Sequence, residues 1–342
     1  MTDVVLDVRN YSVQLHTATS SLTVVDDVSW SVGRGETLAI VGESGSGKTV
    51  SLMALLGLIP EYVVTDTAGS AHLGARDLLS LPESELRKVR GAEVGVIFQD
   101  PLAAFNPARR VGPQIAESAR RHLHLSADQA KRRTLEVMAD VSLPNPRHHY
   151  VAYPHELSGG MRQRALIAMA IVSGPSLVIA DEPTSALDVT TQAQLLELLK
   201  RLGRDLNMGL VLVSHDMGVV AALADQVAVM YAGRIAEYGS ATSVLKCPDH
   251  PYTRGLLDSI PDPRLPHGTA FRALSGAPPD LASAGVGCRF ADRCELAVER
   301  CVGQRPALEP VPLAGGQSGE RQLSACWRHP RVTTPVSSAV AR

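Results

Sequence analysis

Short apolar runs separated by longer amphipathic stretches set the frame of this chain. Thr37-Leu38-Ala39-Ile40-Val41, Val94-Gly95-Val96-Ile97-Phe98, Leu177-Val178-Ile179-Ala180 and Gly209-Leu210-Val211-Leu212-Val213 each have the length of a strand buried on both faces. Helix-length segments stand between them, which predicts an α/β fold: a parallel sheet covered by helices. Leu195, Leu198, Leu199, Leu202 and Leu206 recur at helical spacing and predict one apolar face laid on that sheet. A further helix is predicted from about Lys48 to Leu58. Between residues 100 and 170 the pattern changes to helices with charged faces, over Gln114 to His124 and Ala127 to Val141, and reads as a helical insertion. After Tyr238 prolines become frequent (Pro248, Pro251, Pro261, Pro263, Pro266, Pro278 and Pro279), which places a domain boundary near residue 240. The predicted organisation is a first domain over 1–240, a second over 241–330 and a disordered tail over 331–342.

Composition narrows this picture. The chain has 342 residues and is 45% hydrophobic, enough for a sizeable core. Its 33 basic and 35 acidic residues, net charge −2, offer no polycationic surface of the kind that holds nucleic acid by counterion release. No run approaches the roughly 18 apolar residues needed to span a bilayer. Met1-Thr2-Asp3 opens no basic-then-apolar secretory pattern. Work at a membrane would therefore be done by docking onto other chains.

The candidate chemistry begins where the first buried run ends. Gly42-Glu43-Ser44-Gly45-Ser46-Gly47-Lys48-Thr49 fits G-x-x-x-x-G-K-[ST] between a predicted strand and a predicted helix. Glycines let backbone N–H groups converge on phosphate oxygens, and the helix start adds partial positive charge. Lys48 brings a full charge to the β- and γ-phosphates of a nucleotide, and the Thr49 hydroxyl is placed to ligate Mg²⁺. The bland reading, a glycine-rich turn without a ligand, is disfavoured by the strand–loop–helix context. Leu177-Val178-Ile179-Ala180-Asp181-Glu182 delivers two carboxylates at a strand's C-terminal edge, where open α/β sheets bind ligands. Asp181 is the candidate Mg²⁺ holder and Glu182 the candidate general base.

Leu157-Ser158-Gly159-Gly160-Met161-Arg162-Gln163-Arg164 resembles the signature loop of ABC ATPases, with Met161 where Gln is commoner. The resemblance implies a P-loop NTPase (RecA-like) core with an α-helical subdomain. It also implies that Ser158, Gly159 and Gly160 cap the ATP held by a partner subunit. Gln99, in Val96-Ile97-Phe98-Gln99-Asp100, resembles the glutamine that contacts Mg²⁺ and relays nucleotide state. Ser185-Ala186-Leu187-Asp188 resembles the loop that crosses the dimer interface, and His215 the histidine that senses the γ-phosphate. One departure concerns adenine: the usual aromatic position falls at Leu15, followed by His16, with Tyr11 four residues earlier.

His250-Pro251-Tyr252-Thr253-Arg254-Gly255-Leu256-Leu257 resembles the C-terminal extension of oligopeptide- and dipeptide-permease ATPase subunits. Pro154-His155-Glu156, before the signature loop, and Asp100-Pro101-Leu102-Ala103-Ala104-Phe105-Asn106-Pro107 share that subfamily's phrasing. The resemblance implies an ATPase subunit of an importer, peripheral on the cytoplasmic face of the membrane. Its implied partners are a second ABC ATPase subunit, two permeases and, indirectly, an extracytoplasmic solute-binding protein. Rival readings are a soluble ABC ATPase acting on ribosomes or nucleic acid, and an iron–sulfur sensor whose ATPase is regulatory. Cys288, Cys294, Cys301 and Cys326 lack C-x-x-C knuckles, yet four thiolates ligate zinc or an iron–sulfur cube. The resemblance implies a 4Fe–4S cluster in a small Cys-rich C-terminal domain; Zn²⁺ and four reduced thiols are the alternatives. Cys247 reads as a plain residue.

Overall fold

The computed structural model describes residues 3–16, 21–60, 63–185, 187–260, 274–282, 285–311 and 322–329. The tail expected to be disordered lies outside them. The described strands are β1 (Val4–His16), β2 (Ser21–Gly33), β3 (Thr37–Val41), β4 (Val64–Leu73), β5 (Arg76–Asp77) and β6 (Val94–Ile97). They continue with β7 (Leu177–Asp181), β8 (Gly209–Ser214), β9 (Gln226–Tyr231), β10 (Arg234–Ser240), β11 (Glu309–Pro310) and β12 (Leu323–Ser324). The chain folds as two compact units, each assembled from several segments: 1–6, 32–37 and 80–212 in one, 7–31, 38–79 and 213–342 in the other.

In the first unit the strand order is β8-β7-β6, and β6 runs parallel to β7 with Val96 opposite Ile179. Every residue of β7 and β8 is buried, as two-sided coverage requires of a parallel sheet. Helices occupy much of the stretch from 101 to 171. Helices Val111–Leu123, Ala127–Asp140 and Gly159–Ile171 pack on one another, and the middle one starts with a Ser126–Gln129 capping box. Helix Val189–Asp205 buries Leu195, Leu198, Leu199 and Leu202 as its spacing predicts. Leu206 does not join them: it terminates the helix and is 43% exposed, because the stripe outlasts the helix by one residue.

The second unit holds two sheets. One has the order β2-β1-β4-β5; the other has β11-β12-β10-β9-β3, with β3 and β9 parallel and β9–β10 an antiparallel pair. On the second of these sheets a core joins Ala39 and Val41 of β3 and Val227 and Val229 of β9 to Val244, Leu245, Tyr252, Leu257 and Phe290 from later in the chain. The helix after β3 spans Lys48–Leu55, one turn shorter than expected, because the chain turns at Leu56 and Gly57 (φ +60°).

Candidate active site

The all-buried strand β3 delivers the chain into the loop Gly42–Gly47 at the start of helix Lys48–Leu55. Gly47 has φ +97°, and a Cβ there would lie 2.7 Å from the Val24 carbonyl oxygen, so only glycine fits. No side chain caps this helix start. The Lys48 side chain folds back across its own loop. Its Nζ donates to the carbonyls of Gly42 and Glu43, both at 2.8 Å, and to Ser46 Oγ at 3.3 Å. Ser44, Gly45 and Thr49 stay exposed. The result is a loop at a helix start with a cation at its mouth, the arrangement that receives phosphate.

Glu43 is held from a distant part of the chain. Its N–H donates to Tyr252 Oη at 2.8 Å. Its carboxylate takes a two-pronged contact from Arg293, Nη1 at 2.6 Å and Nη2 at 3.0 Å. Neither Tyr252 nor Arg293 was recognisable as a site residue, since a sequence separation of 209 or 250 residues leaves no local pattern. The Glu43 hydrogen bond and ion pair raise the Arg293 pKa above its ordinary value.

In the first unit, β7 ends at Asp181, which is 5% exposed, and the next residue turns sharply. Glu182 has φ +44°, a left-handed backbone unusual for a residue with a Cβ. Ser185 secures that turn by donating its N–H (3.3 Å) and hydroxyl (3.1 Å) to the Glu182 carbonyl. The turn aims the Glu182 carboxylate at Gln99, whose Nε2 donates to Oε2 at 3.0 Å. Two residues singled out 83 positions apart are thereby brought together.

The serine–glycine loop is organised differently. Ser158 Oγ accepts from Met161 N at 3.3 Å and caps helix Gly159–Ile171. A Cβ on Gly159 would come within 3.9 Å of Leu187 Cδ2, and one on Gly160 would meet Thr191 Cγ2 at 2.7 Å. Asp188 itself caps helix Val189–Asp205, accepting from Thr191 N at 3.0 Å and Thr191 Oγ1 at 2.7 Å. Those bonds hold its carboxyl below the usual carboxylate range. The loop over Ser158–Gly160 and the turn at Asp188 therefore adjoin. His215, at the end of β8, is exposed, and Asp216 beside it caps the next helix, Met217–Leu223.

Of the three residues considered for adenine, Tyr11 is wholly buried, and its hydroxyl donates to the Ser51 carbonyl at 3.2 Å, so it offers no stacking face. His16 is paired to Asp66 at 2.8 Å, and Leu15 is partly exposed.

The thiols of Cys288, Cys294, Cys301 and Cys326 are all free and line one small cavity of ≈ 20 Å³ with Phe290, Pro306 and Trp327. Burial, then the neighbouring thiols, pushes the Cys288 thiol up to about 11, and burial raises Cys294 and Cys326 as well. Four thiols suit an iron–sulfur cube in donor chemistry. Their placement does not meet the expectation: the cavity is the size of one water, and among the described residues no three His, Cys, Asp or Glu side chains are grouped to hold a metal ion.

Comparison with known proteins decides the family. Residues 25–185 match the ABC transporter family, and residues 236–301 match the C-terminal region of the oligopeptide/dipeptide transporter family. The chain is 46% identical to the dipeptide transport ATP-binding protein DppD of Bacillus subtilis, over 85% of this chain and 86% of that one. It is 44% identical to the oligopeptide transport ATP-binding protein OppD of Escherichia coli, over 95% of this chain and 94% of that one. The chain belongs to the ABC transporter ATP-binding subunits of the oligopeptide/dipeptide type. As an ABC ATPase it is an ATP-hydrolysing transporter subunit, for which ATP and Mg²⁺ are expected. A dimeric ATP-binding cassette in a post-hydrolysis state, bound to ADP and Pi, shares the fold with TM-score 0.61 and 24% identity over 69% of this chain and 98% of that one. The reading as an ABC ATPase acting on ribosomes or nucleic acid finds no support among these relatives. Among the described residues no helix is long and apolar enough to cross a membrane.

Proposed function

We propose that this chain powers import of di- or oligopeptides as one of two ABC ATPase subunits docked on two permeases at the cytoplasmic face of the membrane. An extracytoplasmic solute-binding protein would deliver the solute. What carries the reading is the joint presence of the phosphate loop and the Gln99–Glu182 pair in a chain similar to peptide-transport ATPases over nearly its whole length. Residues 241–330 serve as the extension proper to that type of subunit.

Gly42 to Gly47 cradle the phosphates of ATP through backbone N–H groups, and Lys48 leaves its loop carbonyls for phosphate oxygens. Thr49, Asp181 and Gln99 would hold Mg²⁺, which would supply positive charge to neutralise the phosphates. Glu182, pre-aimed by its left-handed backbone, accepts the proton of the attacking water, with Gln99 fixing its orientation. His215 senses the γ-phosphate. Ser158, Gly159, Gly160 and Asp188 complete the site of the partner subunit across a head-to-tail dimer.

Cys288, Cys294, Cys301 and Cys326 are the proposed ligands of a 4Fe–4S cluster in the extension; what supports this is four thiols facing one cavity. Loading it requires the cavity to widen. Its role is structural or regulatory, since ATP hydrolysis needs no electron transfer.

Anaerobic affinity purification from native membranes, with mass spectrometry and iron and sulfide analysis, tests both statements. Two permeases and a second ABC ATPase should co-purify, with about four iron and four sulfide per chain. Recovery of ribosomal proteins without permeases overturns the transport reading; zinc, or no metal, in the anaerobic sample overturns the cluster.

A further inference from the structure

We infer that the C-terminal extension acts on nucleotide binding directly, with Arg293 and Tyr252 as positioning residues that neutralise and fix Glu43 inside the phosphate loop; this rests on the phosphate-loop reading above. Every polar group of Glu43 is engaged. The N–H goes to Tyr252 Oη (2.8 Å), the carbonyl oxygen to Lys48 Nζ (2.8 Å), and both carboxylate oxygens to Arg293 (2.6 and 3.0 Å). Two of these three attachments come from the extension. A carboxylate two residues from the middle of a phosphate cradle is a charge of the wrong sign for a polyphosphate. Arg293 cancels it with a rigid two-pronged contact that lysine cannot reproduce.

The two positioning side chains are themselves fixed. Arg293 is only 6% exposed. Its Nε donates to the Ser275 carbonyl at 2.8 Å and its Nη1 also to Tyr231 Oη at 3.2 Å, while the guanidinium lies 5.7 Å over the Tyr231 ring and 5.8 Å over Phe290. The Tyr252 ring is wholly buried, 4.5 Å from Tyr231 and 5.4 Å from Phe290. Arg293 immediately precedes Cys294, so the same short segment faces the thiol cavity on one side and the phosphate loop on the other.

The extension has a separate anchor that does not involve Glu43. Arg289 donates to Asp26 on β2 at 2.7 Å, where Arg234 also binds at 2.8 Å, and Arg305 lies 3.5 Å from the same carboxylate. Losing the Arg293 side chain therefore removes the phosphate-loop contact without releasing the segment.

The test is equilibrium binding of a fluorescent ATP analogue to the full-length chain, with thermal unfolding measured on the same samples. Arg293→Met should weaken binding about tenfold, because it leaves the Glu43 charge unpaired beside the phosphates. Adding Glu43→Gln to Arg293→Met should restore affinity to within about threefold of wild type, a rescue that general loss of structure cannot produce. Tyr252→Phe, which keeps the buried ring and deletes only the acceptor, should weaken binding about fivefold. Lys48→Ala in parallel separates the two ideas. If it abolishes binding while Arg293→Met binds like wild type, or Glu43→Gln fails to rescue, the positioning role is wrong and the phosphate-loop reading stands. If Lys48→Ala binds like wild type, the phosphate-loop reading falls.

Discussion

Two glycine-bearing loops in this molecule each begin a helix, and they are held in opposite ways. The loop Gly42–Gly47 leaves its helix start without a side-chain cap, places Lys48 across its own carbonyls, and is steadied from outside by Tyr252 and Arg293. The loop at Ser158 carries no lysine, caps its helix with its own serine, and leaves no room for a Cβ on Gly160 beside Thr191. Both are anion cradles in outline. Under the proposed reading the first, with Lys48 fixed at its mouth, holds a polyphosphate by itself. The second keeps its cap satisfied internally, and under the proposed reading is used when a partner subunit presents a γ-phosphate to it.

The largest effect that would sharpen this contrast leaves both loops untouched. Glu182→Gln should lower ATP turnover about a thousandfold, within the range expected for a general base, while ATP affinity stays near wild type. Turnover near the wild-type rate would show that Glu182 is not the base. Lys48→Ala comes next: deleting the first loop's own positive charge should weaken ATP binding about a hundredfold, read by titration with labelled nucleotide. An unchanged affinity would erase the difference between the two loops, since backbone N–H groups would then suffice in both.

Much of this contrast could be read from the chain before folding. Continuous apolar runs end where glycine-rich and carboxylate residues begin, so the strands β3, β6, β7 and β8 and the residues at their ends are locally encoded. Gln99 and Glu182, chosen separately, do meet. The sheet of β2, β1, β4 and β5 was not anticipated, because the adjacent Asp26 and Asp27, the latter with φ +56°, interrupt the alternation of β2. Nor were Arg293 and Tyr252 recognisable. An arginine that will be 6% exposed looks in sequence like any surface arginine, and its partner lies 250 residues away. Tyr11 misled in the other direction: a hydroxyl bonded to the Ser51 carbonyl and a buried ring make it core.

Acid should separate the loops as well. His250 is fully buried and caps helix Pro251–Asp258 by accepting from Tyr252 N at 3.1 Å, so it supports the residue that holds Glu43. Burial lowers its pKa to about 4 from the usual 6.5. The stability it contributes is therefore complete above pH 6.5 and is lost as pH falls toward 4, by up to about 3 kcal/mol. Glu237, pushed up to about 7 by burial, has the opposite sign: its contribution is complete below pH 4.5 and falls as pH rises to 7. Comparing wild type with His250→Asn cancels the Glu237 part, and Asn retains a capping side chain. Denaturant melts between pH 6.5 and 4.5 should show wild type losing stability relative to the variant. Parallel curves would mean that His250 does not titrate against folding.

The smallest effect tests the second loop on its own terms. Ser158→Ala removes the Oγ that accepts from Met161 N and should cost about 1 kcal/mol, lowering the melting temperature by about 2–4 °C. Because no phosphate cradle of its own chain is touched, ATP affinity of the isolated subunit should be unchanged, whereas turnover of the assembled transporter should fall. A drop in the isolated subunit's affinity would contradict the division of labour between the loops, since Ser158 would then be serving the nucleotide of its own chain. Unchanged turnover in the assembly would leave the serine a helix cap and nothing more, and Gly159 and Gly160 would have to carry the contact to the partner's phosphate through their backbone alone.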